Sequence, residues 1–351
     1  EWRDSRGLLG LAQSVQGEVL RFGSGQALLI DALLAERSDV ELDARYSEVR
    51  SRLMSAEDPE ARDEPPGFEG ELRVYQREGL GWLGFLSELG LGGCLADDMG
   101  LGKTVQLLAL LEERRATWER APDMRRPSLV VAPSSLVFNW LDEAERFTPT
   151  LRARAYTGPD RAAVLADLGD VDLLVTNYAL LRRDVLELRE VPWDLVVLDE
   201  AQAIKNSASQ VARASRVLEA RQRFALSGTP IENHLGELWS LFEFLNPGML
   251  GRSSRFRELV KGSTSSRDGV ELELVAKAVK PFVLRRRKSE VLEELPPRTE
   301  QTVHVELGPE ERRDYDELRN HYRASLLSGI SDDPGAVGRE SIHVLAALLR
   351  L

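Results

Sequence analysis

From about residue 71 to residue 230, short and nearly continuous apolar runs alternate with longer stretches of helical period. The runs are Cys94-Leu95-Ala96, Ser128–Ala132, Leu173–Tyr178, Leu195–Leu198 and Arg223–Leu226. Runs of this kind, three to six residues long and separated by helices, are strands buried on both faces, so they predict a parallel sheet covered by helices. Before Cys94 the spacing predicts a helix from Glu71, with Leu72, Tyr75, Leu80, Leu83 and Leu86 turned inward. Gly79, Gly81 and Gly84 stand in that helix, where each costs about 1 kcal/mol against alanine if exposed. Close packing against something is the expected reason.

Polar residues concentrate where the apolar runs end, which is where ligands bind in such sheets. The stretch Gly92–Gln106 joins a short strand to a helix through Asp97-Asp98-Met99-Gly100-Leu101-Gly102, followed by Lys103, Thr104 and Val105. That layout fits a phosphate-binding loop. Gly100 and Gly102 allow successive N–H groups to face an anion, the helix N-terminus adds donors, Lys103 can reach the β- and γ-phosphates, and the Thr104 hydroxyl can ligate Mg²⁺. The strict pattern places glycine at position 97, where this chain has Asp97. About a hundred residues on, Asp199-Glu200 ends another apolar run, a placement suited to a Mg²⁺-holding acid followed by one that orients or deprotonates water. Gln76, on the preceding helix, has an amide able to read the edge of adenine.

The flanks are less informative. Glu18–Phe22 reads as a strand, Gly23–Gly25 as a turn, Ala27–Ala35 as a helix with Leu28, Leu29, Leu33 and Leu34 packed, and Leu42–Met54 as a second helix. Ala56–Gly67, rich in Asp, Glu and Pro, reads as a linker. After residue 232 the pattern is helical, interrupted by the Gly- and Ser-rich stretch 262–269; Thr302–Leu307 alternates like a strand, and Pro309–Leu327 and Ile342–Leu351 look helical. Arg285-Arg286-Arg287-Lys288 reads equally well as a phosphate grip or a solvated helix face.

Composition narrows the class without deciding the function. The 351 residues are 42% hydrophobic and 30% charged, as in a soluble globular protein, and no apolar run approaches the about 18 residues that span a bilayer. The N-terminal Glu1-Trp2-Arg3-Asp4 lacks the basic-then-apolar layout of a signal peptide, so a cytoplasmic location with no membrane partner is expected. The lone Cys94 reads as a small buried hydrophobe, and His234, His304, His321 and His343 have no metal-ligand spacing. A net charge of −12 argues against a generally basic nucleic-acid surface but leaves room for one local groove. Only six of the 46 basic residues are lysines, an arginine bias that points to a GC-rich bacterial genome.

Taken in order, the motifs resemble the Swi/Snf family of superfamily-two helicase-like ATPases. The resemblance is carried by Leu72–Gly79, Ala96–Thr104, Ala132–Ser135 with Asn139-Trp140, Asp199–Asn206, Leu226–Asn233 and Phe282–Lys288, and covers about residues 70 to 300. Asp199-Glu200-Ala201-Gln202 departs mildly from the commoner Asp-Glu-Xaa-His. The resemblance implies a RecA-like parallel sheet with helices on both faces, a phosphate-loop NTPase fold, carrying a helical insertion and part of a second lobe. The expected divisions are 1–64, an accessory region and linker that could bind protein partners; 65–231, the first lobe; 232–300, a helical protrusion and return to that lobe; and 301–351, the start of lobe two.

The resemblance further implies an ATP-dependent motor that steps along double-stranded DNA, on the nucleoid of a bacterial cell. Lys103, Asp199 and Glu200 would be catalytic; Gln76 and the run Asp98, Met99, Gly100, Leu101, Gly102, Lys103, Thr104, Val105 would bind ATP; Thr104 and Asp199 would hold Mg²⁺. Gln202, Ser227, Gly228 and Thr229 would relay nucleotide state, and Pro133, Ser134, Ser135, Thr176 and Asn177 would meet DNA phosphates. Because the arginines of a second lobe are not found in these residues, slow or undetectable hydrolysis by this stretch alone is expected. The alternatives are another superfamily-two motor, an RNA helicase or restriction translocase, and a non-catalytic DNA- or protein-binding scaffold.

Overall fold

The computed structural model describes residues 14–16, 19–34, 44–54, 60–120, 125–228, 235–251, 275–291 and 306–330. It divides into two compact units, Glu1–Glu293 and Glu294–Leu351. The first is built on seven strands: β3 (Gly93–Leu95), β4 (Ser128–Ala132), β5 (Ala153–Ala155), β6 (Leu173–Asn177), β7 (Trp193–Leu198), β8 (Ala220–Leu226) and β9 (Val283–Leu284). A separate antiparallel hairpin precedes them, β1 (Ser14–Gln16) with β2 (Val19–Arg21). The seven run parallel in the order β5-β6-β4-β7-β8-β3-β9.

Period two explains why one sheet serves two cores. Leu95, Val130, Val197, Phe224 and Leu226 face one hydrophobic cluster, and Cys94, Leu129, Val131, Val196, Leu198 and Ala225 face the other. Cys94 is buried, and burial pushes its thiol up to about 12, as suits a small hydrophobe. Helices cover both layers: α1 (Ala27–Leu34), α2 (Ala44–Met54), α3 (Val74–Leu89), α4 (Lys103–Arg120), α5 (Val137–Phe147), α6 (Arg161–Ala166), α7 (Tyr178–Arg183), α8 (Val185–Leu188), α9 (Gln210–Arg216), α10 (Leu235–Leu245) and α11 (Lys288–Val291). The second unit contributes α12 (Pro309–Ile330), which matches the expected helix there.

The expected helix from Glu71 begins at Val74, with Leu72 buried just ahead of it. Its glycines do admit close neighbours. A Cβ on Gly81 would lie 2.0 Å from the Glu60 carbonyl oxygen, and one on Gly84 would lie 2.2 Å from the Arg62 guanidinium. The neighbours belong to the segment expected to be a linker. Residues 60–64 instead form a strap: Arg62 pairs with Glu88 at 2.5 Å and Glu113 at 2.9 Å, its N–H donates to the Arg77 carbonyl, and Glu64 accepts from the Leu72 N–H and from Arg77. Fixed partners replace the freedom that a Pro- and Asp-rich composition suggested.

β9 went unrecognised in the sequence because it is only two residues long. It pairs with β3 and so sets the chain after residue 282 beside the phosphate loop. The stretch 262–269, most of 302–307 and 342–351 lie outside the described residues. Two cavities, of about 280 and 440 Å³, open at the N-terminal edge of the sheet near Gly92, Asp194 and Arg221. The chemistry-bearing residues are at the opposite edge.

Candidate functional site

All seven strands are parallel, so the loops after β3, β4, β6, β7 and β8 emerge at one edge. Register carries this to the atom. The Asp199 N–H donates to the Val131 carbonyl at 2.9 Å, and the Ser227 N–H to the Leu95 carbonyl at 3.1 Å, so both residues are the first past the end of their strands.

After β3 the loop turns with Gly100 at φ 86° and Gly102 at φ 73°, values that L side chains rarely adopt. Leu101 is buried and anchors it, while Met99 is exposed. Lys103 opens α4, and its ammonium donates to the carbonyls of Asp97 at 2.8 Å and Asp98 at 3.5 Å, closing over the loop's main chain. Thr104 and Val105 follow half-buried in a first turn without acidic residues, leaving its N–H groups and partial positive charge for an anion.

Gln76 stands beside this loop. Its Oε1 accepts from the Arg73 N–H at 2.9 Å, and its Nε2 donates to the Leu101 carbonyl at 3.2 Å. The amide thus ties the start of α3 to the phosphate loop.

Asp97, which stands where the strict motif has glycine, is fully buried. Its Oδ1 accepts from the Arg286 N–H and Nε–H, and its Oδ2 accepts from the other end of the same guanidinium at 2.5 Å. Arg286 also donates to the Tyr75 carbonyl and to Gln106 Oε1, and lies over the Tyr75 ring. Neither expected role for the basic run fits Arg286: it is a structural partner, 11% exposed, set in irregular chain after β9. Its neighbours Arg285 and Arg287 point to solvent, so the run reads as one feature in sequence and as alternating positions in space.

At the end of β7, Asp199 is held on both oxygens. Oδ1 accepts from the Glu200 N–H at 2.9 Å, and Oδ2 from Trp140 Nε1 at 2.8 Å. Burial raises its carboxyl above the ordinary value, the Glu200 charge adds to this, and Trp140 and Lys103 oppose it. Tyr178 donates to the Asp199 carbonyl at 2.6 Å, and burial next to these carboxylates pushes its phenol far up. Glu200 takes φ 51°, the one positive φ outside glycine among the described residues. Its Oε2 accepts from Gln202 Nε2 at 2.7 Å, and Gln202 Oε1 accepts from Ser227 Oγ at 3.2 Å. Glu200, Gln202 and Ser227 therefore form one hydrogen-bonded chain between β7 and β8. A Cβ on Gly228 would meet nothing within 4 Å, and Thr229 lies outside the described residues.

Pro133, Ser134 and Ser135 form a turn after β4, both serines exposed. Asn177 caps α7, its Oδ1 accepting from the N–H groups of Ala179 and Leu180 at 3.0 Å. Thr176 corrects the expectation: it is fully buried and its hydroxyl donates to the Tyr156 carbonyl at 2.9 Å, so its side chain has no face for a DNA phosphate. Trp140, Tyr178 and Arg286 are the site neighbours that sequence reasoning missed as such. Trp140 carried no role of its own in the sequence, and Arg286 was expected as a phosphate grip or a solvated face and not as the partner of Asp97.

Residues 75–347 match the SNF2-related domain. The chain belongs to that family. A TATA-binding protein-associated factor, mot1 of Schizosaccharomyces pombe, is 37% identical over 295 residues, covering 78% of the chain and 15% of the relative. An uncharacterized ATP-dependent helicase of Mycoplasma pneumoniae is 35% identical over 283 residues, covering 80% of the chain and 26% of the relative. Among solved structures, the Sulfolobus solfataricus SWI2/SNF2 ATPase core in complex with dsDNA superposes with a TM-score of 0.59 at 38% identity, covering 82% of this chain and 59% of that one. The SNF2-related chain thus spans a minor part of those two full-length relatives. Its seven-stranded parallel sheet is the RecA-like fold of that core.

Proposed function

We propose that these residues form the nucleotide-binding lobe of an ATP-driven motor that moves on double-stranded DNA. The observation that carries the reading is the Glu200–Gln202–Ser227 chain, which begins beside Asp199 and the phosphate loop and ends on the neighbouring strand. A site that only held nucleotide would have no use for such a link; a motor needs nucleotide state to be felt elsewhere.

ATP would lie with its phosphates against the N–H groups of residues 100–104 and the Lys103 ammonium, which would exchange the Asp97 and Asp98 carbonyls for phosphate oxygens. Gln76, beside the loop, would meet the adenine. Glu200 would orient the attacking water and take its proton as the water oxygen bonds to the γ-phosphorus and the bond to the β–γ bridging oxygen breaks, giving ADP and phosphate. The donors suit Mg²⁺: among the described residues no cluster of three or more His, Cys, Asp or Glu could hold a metal alone, and Asp199 and Thr104 offer hard oxygens beside the phosphate loop. Mg²⁺ bound there would neutralise charge on the phosphates.

Ser134, Ser135 and Asn177 share this edge with the nucleotide loop, and the known DNA complex of the similar Sulfolobus core supports DNA as the track. Contacts through hydroxyls and N–H groups carry no sequence information and need no basic surface, which suits a chain of net charge −12. DNA as the track would place the protein in the cytoplasm, on the nucleoid if the source is bacterial. The test is ATP turnover of the full-length protein with duplex DNA, single-stranded DNA and RNA. Stimulation by duplex DNA is expected; stimulation by RNA alone would reassign the substrate.

A further inference from the structure

The Asn139–Trp140 pair of α5 has no part in the function as derived so far, yet Trp140 is joined to its centre. The indole is almost fully buried, and a buried indole N–H requires an acceptor. The acceptor here is Asp199 Oδ2, at 2.8 Å. Asp199 Oδ1 is already held by the Glu200 N–H, so Trp140 fixes the remaining rotation of the carboxylate. Asn139 faces the other way, exposed, with its amide donating to Glu143 Oε1 at 3.0 Å.

The chain between this indole and the exposed edge is short and stiff. Ser134–Leu136 form a single 3-10 turn closed by the Leu136 N–H on the Pro133 carbonyl at 2.9 Å, and α5 begins at the next residue. Leu136 itself packs against the core. A phosphate bound at Ser134 and Ser135 would therefore bear on a hydrogen-bonded turn whose helix carries the Trp140 N–H. We infer that Trp140 is a positioning residue that transmits nucleic-acid engagement at the Pro133–Ser135 turn to the Asp199 carboxylate, setting which of its lone pairs is presented to the cation. This rests on the reading of Asp199 and of that turn given under Proposed function.

Trp140→Phe in the full-length protein keeps the ring and removes the N–H. Loss of an outer-shell hydrogen bond to a metal-holding carboxylate typically weakens metal affinity about tenfold or more. The expected result is a half-saturating Mg²⁺ concentration raised about tenfold, together with a several-fold smaller stimulation by duplex DNA. A binding readout separates this from general damage: the gain in affinity for a fluorescent ATP analogue between EDTA and Mg²⁺ shrinks, while affinity in EDTA and affinity for DNA stay as in the parent. Leu136→Gly, which loosens the joint and leaves the indole in place, should lower DNA stimulation without changing the Mg²⁺ requirement, and it serves if Trp140→Phe does not fold. Parental Mg²⁺ dependence and DNA stimulation in Trp140→Phe, or parental DNA stimulation in Leu136→Gly, would overturn the inference and leave the function intact. A parent protein that ignores DNA would instead overturn the function on which it rests.

Discussion

Glu200 occupies the left-handed region at φ 51°, where a residue with a long side chain is strained by about 1–3 kcal/mol. Such strain persists where surrounding structure imposes it, here through Asp199 Oδ1 on the Glu200 N–H and Gln202 on the carboxylate. Glu200→Asn, which tolerates that conformation, should raise stability by about 1 kcal/mol while abolishing turnover. Denaturant midpoints check the first half and phosphate release the second. Glu200→Gln should lower turnover about a hundredfold or more and leave nucleotide affinity unchanged; undiminished turnover would remove Glu200 from its role. Asp97 makes the opposite case. Asp97→Gly restores the residue of the strict motif, yet it strands the Arg286 guanidinium in a buried site, and breaking such a pair costs about 3–5 kcal/mol. A chevron or urea titration showing no loss would mean that the pair is idle. The placement of Lys103 at a helix start and of Asp199 and Glu200 at a strand end was legible because it follows from local spacing. Arg286 was not, since its partner is 189 residues away and only the two-residue β9 brings them together.

Elements were legible to the extent that they repeat a period. The strand at 128–132 matches its apolar run to the residue and the one at 173–177 to within one residue, because burial on both faces leaves no other pattern open to them. The strap over α3 was illegible: its composition is that of a linker, and what fixes it is a trough of glycines more than fifteen residues further on. Gly81→Ala discriminates between helix propensity and packing. Propensity alone predicts a gain of about 1 kcal/mol, whereas a methyl 2.0 Å from the Glu60 carbonyl predicts a loss of about 1–3 kcal/mol in urea unfolding. A separate clamp, the Arg161–Asp184 ion pair at 2.5 Å, responds to acid. The Arg161 hydrogen bond holds the Asp184 carboxyl below its ordinary value of 3.8, so the folded state binds that proton less tightly than the unfolded one. The clamp therefore stabilises above about pH 4, and its contribution is lost as pH falls through the lower folded value. Asp184→Asn should flatten that acid limb of the stability curve; an unchanged limb would show that other carboxylates control it.

At the scale of the whole molecule, the parallel sheet was legible but its strand order was not, because apolar runs say that strands are buried and not which lie side by side. The order sets β3 between β8 and β9, which places the Ser227 turn and the segment 285–288 on either side of the phosphate loop. The residues proposed to meet nucleotide, relay its state and meet nucleic acid thus share one edge, whose few contacts are set apart from the net charge of −12 carried by the chain as a whole. Contact through neutral hydroxyls and N–H groups neutralises few phosphates and so releases few counterions, and DNA affinity should fall as salt rises with only a shallow slope. On the proposed function, DNA at this edge controls ATP chemistry at the same edge. The most direct measurement of that control is the steady-state ATPase rate of the full-length protein with and without duplex DNA at fixed Mg²⁺ and salt. A rate that rises with duplex DNA, and no longer does so in Glu200→Gln, is the predicted result. A rate indifferent to duplex DNA, or raised only by RNA, would contradict the account.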